Sequence, residues 1–201
     1  NLDESAPVIT SDAIFTADEN QTSIGTVIAT DADGNNITYS ISGSEISINS
    51  SSGLLTFLTA PDYEIKSTYT ATVTASNGDN SALQNITVSI NNLDDNDPVF
   101  TSNLTFSADE NQKAIGAVSA SDPDGGAITY RISGSSDDNI SIDSSSGVLT
   151  FITAPDYEAN TYYEARVIAT DSSDSQVGAN IKVSINNLND NIPQFTSTTS
   201  Y

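Results

Sequence analysis

Apolar and polar residues alternate along several short stretches of this chain. Three of them run through Ile37, Tyr39 and Ile41, through Tyr69, Ala71, Val73 and Ala75, and through Ile86, Val88 and Ile90. Successive side chains of a strand point to opposite faces, so this period of two predicts β-strands with one buried face. No stretch shows the apolar stripe of an amphipathic helix.

The pattern occurs twice. FTADENQ at 15–21 returns as FSADENQ at 106–112, and SSSGLLTFLTAPDYE at 50–64 returns as SSSGVLTFITAPDYE at 144–158. The offset grows from 91 residues between Glu19 and Glu110 to 95 residues between Asn91 and Asn186, because the second copy gains residues around 136–138 and 172–178. Such length changes are typical of surface loops, and each copy is long enough for a core of its own.

Each copy predicts a β-sandwich. Ser-Ser-Gly at 51–53 and at 145–147 separates two apolar stretches and indicates a tight hairpin. About six or seven short strands per copy, joined by turn-rich loops, predict an all-β chain of two tandem seven-stranded Greek-key sandwiches joined end to end. We expect Tyr39, Phe57, Tyr69 and their counterparts Tyr130, Phe151 and Tyr163 to fill the cores. The predicted divisions are 1–6, the end of a preceding linker; 7–97 and 98–192, the two repeats with their linkers; and 193–201, the start of a following segment.

The net charge of the chain restricts the kinds of partner that it can bind. Asp and Glu number 27 against five Lys and Arg, giving a formal net charge of −22, with no cysteine and no histidine. Nucleic acid and anionic membrane surfaces would be repelled, whereas cations would be attracted. Without disulfides or thiolate sites, calcium is the obvious alternative stabiliser of an exported domain. No apolar run approaches a membrane span or a signal peptide, so we expect an extracellular, soluble piece of a longer protein.

The acidic residues concentrate in loops at the predicted domain ends. These loops are ADEN, PDYE, the linker NNLDDNDPVF and the Asp-x-Asp pairs Asp31/Asp33 and Asp122/Asp124. Solvated acidic loops are one interpretation, but the duplication of the acids beside varying neighbours favours calcium, which binds six to eight oxygens. An EF-hand loop starting at Asp31 or Asp122 is excluded because its twelfth position is Ser42 or Ser133. The glycine-aspartate nonapeptide repeat is absent too.

In their order, these motifs resemble tandem cadherin repeats. The resemblance rests on the early glutamate of ADEN, the Asp-x-Glu of PDYE, the Asp-x-Asp pair, the Asn-Asp-Asn-x-Pro linker at 189–193 with its variant at 94–98, and the late acid Asp171. It covers the whole chain. It implies a cadherin-like, immunoglobulin-like sandwich and roughly three Ca²⁺ ions in the joint between consecutive repeats, bound by oxygen ligands. The implied ligands of the central joint are Glu19, Asp62, Glu64, the Leu93 carbonyl, Asp94, Asp95, the Asn96 carbonyl, Asp122, Asp124 and Asp171.

The sequence departs from the family pattern in the middle linker and at the ends. Asp94 stands where the family usually has Asn, which adds a charge and should tighten the binding of that ion. Asn77 stands where the second copy has Asp171, and the opening linker reads Asp3-Glu4-Ser5. We therefore expect a weaker amino-terminal calcium site, built from Asp3, Glu4, Asp31, Asp33 and Asn77. The carboxy-terminal half-site, which lacks a following repeat here, should also be weak. Its residues are Glu110, Asp156, Glu158 and Asp190.

We considered three functions for this sequence. A calcium-stiffened spacer in a cell-surface adhesion protein leads, and the Ser/Thr/Asn-rich composition suggests a bacterial surface protein. The alternative is a recognition module, homophilic or carbohydrate-binding, with Tyr63, Tyr157 and Tyr162 as the candidate aromatics. Strand exchange through an amino-terminal tryptophan is excluded because the chain has no tryptophan. An enzyme is disfavoured, because without His or Cys only a Ser/Lys arrangement with Lys66, Lys113 or Lys182, or a carboxylate pair such as Asp62/Glu64, would remain.

Overall fold

The computed structural model describes residues 5–133 and 139–192, and every regular element within those ranges is a β-strand. Contacts between Cα atoms divide the chain into two compact units, unit 1 up to Leu93 and unit 2 from Asp94 onward. No helix long and apolar enough to cross a membrane occurs among the described residues.

The described part of unit 1, residues 5–93, contains nine strands. In chain order they are β1 (Val8–Ile9), β2 (Ile14–Asp18), β3 (Ser23–Thr26), β4 (Ala29–Thr30), β5 (Thr38–Ile41), β6 (Ile46–Ile48), β7 (Leu54–Phe57), β8 (Thr68–Ser76) and β9 (Ser81–Asn91). One sheet has the order β2-β9-β8-β5, the other has the order β3-β7-β6, and β1 pairs with β4. Seven strands thus form the two sheets of a sandwich, as predicted, and the β1–β4 pair of two residues each is an addition.

The two sheets of unit 1 enclose an apolar core. Of the alternating residues predicted to face inward, Val73, Ala75, Ile86 and Val88 are fully buried. Others pack half-buried against this core, namely Tyr39, Ile41, Tyr69 and Ala71. Leu55 and Phe57 enter from the opposite sheet, and the Phe57 ring meets Tyr69 edge-on with the centroids 4.9 Å apart. Edge-to-face contact is a favoured geometry of aromatic pairs, so these rings fill the core as expected.

The Ser-Ser-Gly hairpin joins β6 to β7, which pair antiparallel. Gly53 has φ of 72°, and a Cβ atom there would lie 2.2 Å from the carbonyl oxygen of Val27. The Val27 amide donates to the Gly53 carbonyl at 2.9 Å, so the hairpin contacts the residue that follows β3 in the same sheet. Only glycine fits both the left-handed backbone and this close approach.

Unit 2 repeats the arrangement. Its strands are β10 (Val99–Phe100), β11 (Thr105–Asp109), β12 (Ala114–Ala117), β13 (Ala120–Ser121), β14 (Thr129–Ser133), β15 (Ile140–Ile142), β16 (Val148–Phe151), β17 (Tyr162–Thr170) and β18 (Gln176–Asn186). The sheets are β11-β18-β17-β14 and β12-β16-β15, with β10 paired to β13. Phe151 and Tyr163 form the equivalent aromatic pair at 5.1 Å. The insertion expected around 136–138 lies outside the described residues.

The hairpin of unit 2 is closed by an acid where unit 1 has an amide. Asn49 Oδ1 accepts hydrogen bonds from the backbone N–H groups of Ser51 and Ser52, and Asp143 Oδ1 accepts the same pair from Ser145 and Ser146. The donors on Ser146, its backbone N–H and then its hydroxyl, lower the pKa of Asp143 from its usual value. Asn and Asp are therefore interchangeable at this position.

Candidate metal centres

A buried glutamate marks the carboxyl end of each unit. Glu19 follows β2, is 2% exposed, and accepts hydrogen bonds from the Leu93 and Tyr63 amides at 2.7 Å each. Glu110 in unit 2 does the same with Leu188 and Tyr157, at 2.6 and 2.9 Å. Each carboxylate thereby joins the end of the last strand to the PDYE loop. Hydrogen bonds to a charged acceptor are among the stronger ones, which explains how a carboxylate is tolerated in this position.

Glu110 is one of three carboxylates that lie close together in unit 2. Oxygen atoms of Glu110, Glu158 and Asp190 lie within 4.8 Å of one another, and we call them the carboxyl-end cluster. Asn111 donates to Asp190 at 2.6 Å. Asp156 is not among these three residues, and its Oδ1 accepts the Glu158 amide at 2.9 Å in its own loop. The half-site predicted from the sequence is thus brought together in three of its four members.

Unit 1 places its corresponding residues in the same loops. Asp62 lies on the loop after β7 and accepts the Ile65 amide at 3.1 Å, and Glu64 is exposed two residues later. Leu93 is 40% exposed at the end of the unit and donates its amide to Glu19. The role of these residues as calcium ligands stays a prediction.

A second group of acids lies at the amino end of unit 2. Oxygen atoms of Asp94, Asp122 and Asp124 lie within 4.8 Å of one another, and we call them the amino-end cluster. The backbone amides of Asp95 and Asn96 both donate to Asp124 Oδ2, at 2.9 and 2.7 Å. Asp124 therefore holds Asp95 and Asn96 against the loop that follows β13. The cluster brings three of the residues predicted for this end together.

Two carboxylate oxygens at this end are buried and lack a hydrogen-bond partner among the described residues. They are Oδ2 of Asp122, a residue 9% exposed, and Oδ2 of Asp171, a residue 5% exposed. The other oxygen of each side chain is satisfied, because Asp122 Oδ1 accepts the Asp124 amide and Asp171 Oδ1 accepts the Ser173 and Ser175 amides. A buried carboxylate oxygen without a donor is costly, whereas a divalent cation with oxygen ligands would satisfy it. The residues present fit such a cation.

The amino end of unit 1 has the same loops with different contacts. Asp31 Oδ1 accepts the amides of Asp33 and Asn35, and Asp31 Oδ2 accepts the side-chain amide of Asn77 at 2.9 Å. The Asn77 hydrogen bond is the main cause that lowers the pKa of Asp31. Asp33 Oδ2 accepts the Ser5 amide at 3.1 Å. The predicted ligands Asp3 and Glu4 lie outside the described residues.

Two serines and one acid near the amino-end cluster were missed by the sequence reasoning. Ser172 Oγ donates to Asp94 Oδ2 at 2.8 Å, and Ser175 Oγ donates to Asp97. Both serines belong to the loop after β17 in which the second copy is longer than the first. That extra length was the available signal, since a polar insertion beside an acidic loop can add contacts to it.

The three tyrosines considered for recognition differ in exposure. Tyr63 and Tyr157 are half-buried and pack against the cores of their own units. Tyr162 is 51% exposed, and Lys182 Nζ lies 4.5 Å from the centroid of its ring. Of these three side chains, Tyr162 offers the most accessible aromatic surface.

The chain is similar to known cadherin domains. The sequence model of the cadherin domain matches residues 14–91 and 104–186. Human Protocadherin-15 is 30% identical over 186 residues, which are 85% of this chain and 9% of that protein. The mouse Cadherin EGF LAG seven-pass G-type receptor 2 is 31% identical over 190 residues, which are 87% of this chain and 6% of that protein. The chain therefore spans less than a tenth of the length of either relative.

Solved structures show the same fold. Repeats EC22-24 of mouse cadherin-23 match 96% of this chain and 71% of their own with a TM-score of 0.79 at 22% identity. Repeats EC1-2 of human protocadherin-24 match 92% of this chain and 99% of their own with a TM-score of 0.74 at 20% identity.

Proposed function

Because this chain belongs to the cadherin family, we propose that it is a calcium-binding pair of extracellular repeats that serves as a calcium-stiffened spacer in a cell-surface adhesion protein. The family membership supports the adhesion role and the extracellular location. The bacterial source suggested by the composition is not supported by the relatives named above, which are from human and mouse.

One observation carries the calcium proposal. Asp122 and Asp171 each bury an oxygen that no described donor reaches. A calcium ion takes its ligands from carboxylates and carbonyls, which are the groups this end offers. The residues that would hold calcium here are Asp94, Asp122, Asp124, Asp171 and the Asn96 carbonyl, and the carboxyl-end cluster would hold it at the other end of unit 2. When bound, calcium supplies positive charge to these oxygens.

The protein's own residues explain why calcium would stiffen the chain at its linker. Carboxylates about 4 to 5 Å apart repel one another by roughly 1 to 4 kcal/mol per pair, depending on the effective dielectric constant. The amino-end cluster contains Asp94 of the linker together with two acids of the following loop. Without a cation, this repulsion would push the linker acid away from the loop. Neutralisation removes that force and leaves the hydrogen bonds from Asp95 and Asn96 to hold the linker in place.

A recognition role, homophilic or carbohydrate-binding, stays the alternative. The exposed ring of Tyr162 beneath Lys182 is the feature that supports it. Catalysis stays disfavoured on the sequence argument. The spacer proposal leads because the acidic loops are repeated in both units, whereas Tyr162 has Thr68 as its counterpart in unit 1.

The proposal is tested by thermal unfolding of the 201-residue chain in chelator and in 10 mM calcium. Dissociation constants of about 10⁻⁵ to 10⁻³ M would give a stabilisation of about 1.4 to 4 kcal/mol per site at that concentration. Asp122→Asn should reduce the calcium-induced rise in the melting temperature of the second repeat. Asp143→Asn removes the same charge from the same repeat away from the cluster, and Asn49 shows that the hairpin accepts the amide.

We expect the Asp143→Asn control to keep the full response to calcium. A wild-type melting curve that is identical in calcium and in chelator would overturn the proposal. An Asp122→Asn protein that responds as strongly as the wild type would remove the amino-end cluster from it.

A further inference from the structure

Asn77 and Asp171 occupy equivalent positions in the loops after β8 and β17. Their backbones make matching hydrogen bonds, from the Asn77 amide to the Asn80 carbonyl at 3.2 Å and from the Asp171 amide to the Ser175 carbonyl at 3.1 Å. Their side chains match too, since Asn77 Oδ1 accepts the Asn80 amide at 2.7 Å and Asp171 Oδ1 accepts the Ser175 amide at 2.8 Å. The two side chains have the same shape and differ in one terminal atom. That atom is Nδ2 of Asn77 in unit 1 and Oδ2 of Asp171 in unit 2.

The orientation of the Asn77 amide group is fixed by its neighbours. A backbone N–H can only donate, so the atom that faces the Asn80 amide must be the side-chain oxygen. The nitrogen then faces the other way, where it donates to the Ser5 carbonyl and to Asp31 Oδ2 at 2.9 Å each. Both acceptors are oxygens, which agrees with this orientation.

The two oxygens that Asn77 reaches have counterparts in unit 2. Asp31 corresponds to Asp122 and Ser5 corresponds to Asn96, each at the offset of 91 residues. Asp122 Oδ2 and Asp171 Oδ2 are buried without a donor, and the Asn96 carbonyl is one of the calcium ligands implied by the sequence. In unit 1 the amide hydrogens of Asn77 thus satisfy the oxygen that stays unsatisfied in unit 2.

We infer that the Asn77 side-chain amide replaces one calcium ion at the amino end of the first repeat. Its two N–H groups supply the partial positive charge that an ion would supply, and an amide nitrogen cannot coordinate calcium, which takes oxygen ligands. The amino end of the first repeat therefore binds one ion fewer than that of the second and keeps its loops connected without calcium. This inference rests on the proposed function for the ion count, but the calcium-free state tests it separately.

The test exchanges the two side chains in the 201-residue protein. The variants are Asn77→Asp, Asp171→Asn and the control Asn49→Asp, which adds a charge where the second repeat already has Asp143. Hydrogen exchange read by mass spectrometry in chelator reports on the loops at 77–80 and 171–175. Equilibrium dialysis against calcium counts the ions bound to each protein.

In chelator, Asn77→Asp should speed exchange in the loop at 77–80 by about tenfold or more, because a charge-assisted hydrogen bond gives way to two facing carboxylates. Asp171→Asn should slow exchange in the loop at 171–175. In calcium, Asn77→Asp should bind one more ion than the wild type and Asp171→Asn one fewer. Asn49→Asp should change neither the exchange of the loop at 77–80 nor the number of ions.

The results distinguish the claim that the chain binds calcium from the claim that the Asn77 amide replaces an ion. If the wild type binds no calcium, the proposed function fails, yet faster exchange in Asn77→Asp in chelator would still support the role of the amide as the group that satisfies Asp31. If calcium binds but Asn77→Asp exchanges as slowly as the wild type in chelator, or gains no ion, the substitution inferred here is wrong.

Discussion

At the scale of single residues, the buried glutamates stabilise the loops through hydrogen bonds that need no metal. Glu19 and Glu110 each accept two backbone N–H groups and are both 2% exposed. Their carboxylates would also serve as ligands in the calcium proposal. The two roles are compatible, because a carboxylate oxygen that accepts one hydrogen bond keeps a further lone pair.

Replacing Glu19 by Ala should destabilise unit 1 even in chelator. The Leu93 and Tyr63 amides would lose their shared acceptor in two part-buried hydrogen bonds. An unpaired N–H costs about 1 to 3 kcal/mol, so a loss of about 2 to 6 kcal/mol is expected for the two. Urea unfolding followed by circular dichroism measures it. Asp12→Ala, which removes an exposed acid from the same unit, should stay within about 0.5 kcal/mol of the wild type. A Glu19→Ala loss as small as that of Asp12→Ala would mean that the glutamate acts only through calcium.

At the scale of elements, the hairpin between β6 and β7 depends on one glycine for two reasons. Gly53 and Gly34 have nearly the same φ, 72° and 77°, but only Gly53 lies against another backbone. Gly34 has nothing within 4 Å of its virtual Cβ. Alanine substitutions at Gly34 and Gly53 therefore distinguish the cost of backbone strain from the cost of a steric clash.

In chelator, Gly34→Ala should cost about 1 to 2 kcal/mol, the strain of a left-handed alanine. Gly53→Ala adds a clash with the Val27 carbonyl and should cost at least about 2 kcal/mol more, because the hairpin must move away. Gly147→Ala should behave like Gly53→Ala, since its Cβ would lie 2.3 Å from the Val118 carbonyl. Equal losses for Gly34→Ala and Gly53→Ala in thermal unfolding would show that the contact with Val27 is unimportant.

The elements also show where sequence reasoning ends. Alternation along Tyr69 to Ala75 and the hairpin at Gly53 predicted strands, faces and the β6–β7 pairing correctly. The parallel pairing of β2 with β9 was not predicted, because alternation fixes which side chains share a face but not which strand lies alongside. The short β1–β4 pair was missed because two residues carry no periodicity.

The candidate site, like the fold, could be predicted from the sequence only in part. The acidic residues could be predicted as candidate ligands because they recur in both copies of the sequence. The amino-end and carboxyl-end clusters contain residues predicted in this way. The hydrogen bond between Asp156 and the Glu158 amide, and the direction in which Asn77 donates, are loop contacts that no motif encodes. Sequence reasoning identified Asn77 as a departure, but only the structure gives that departure a physical role.

At the scale of the whole molecule, charge is the dominant property. A net charge of −22 on 201 residues means that acidic loops repel one another unless cations are bound. Salt screens such repulsion over about 8 to 10 Å at physiological ionic strength, so monovalent salt should relieve it only in part. Calcium bound at the clusters would relieve it locally, which is the basis of the spacer proposal.

The most direct measurement is small-angle X-ray scattering of the 201-residue chain in calcium and in chelator, with ionic strength matched by KCl. We predict that in chelator the scattering curve needs an ensemble of conformations, whereas in calcium a single conformation with a defined maximum dimension fits it. Asp122→Asn should shift the calcium curve toward that of the chelator sample. Identical curves in both conditions would contradict the claim that calcium stiffens this pair of repeats.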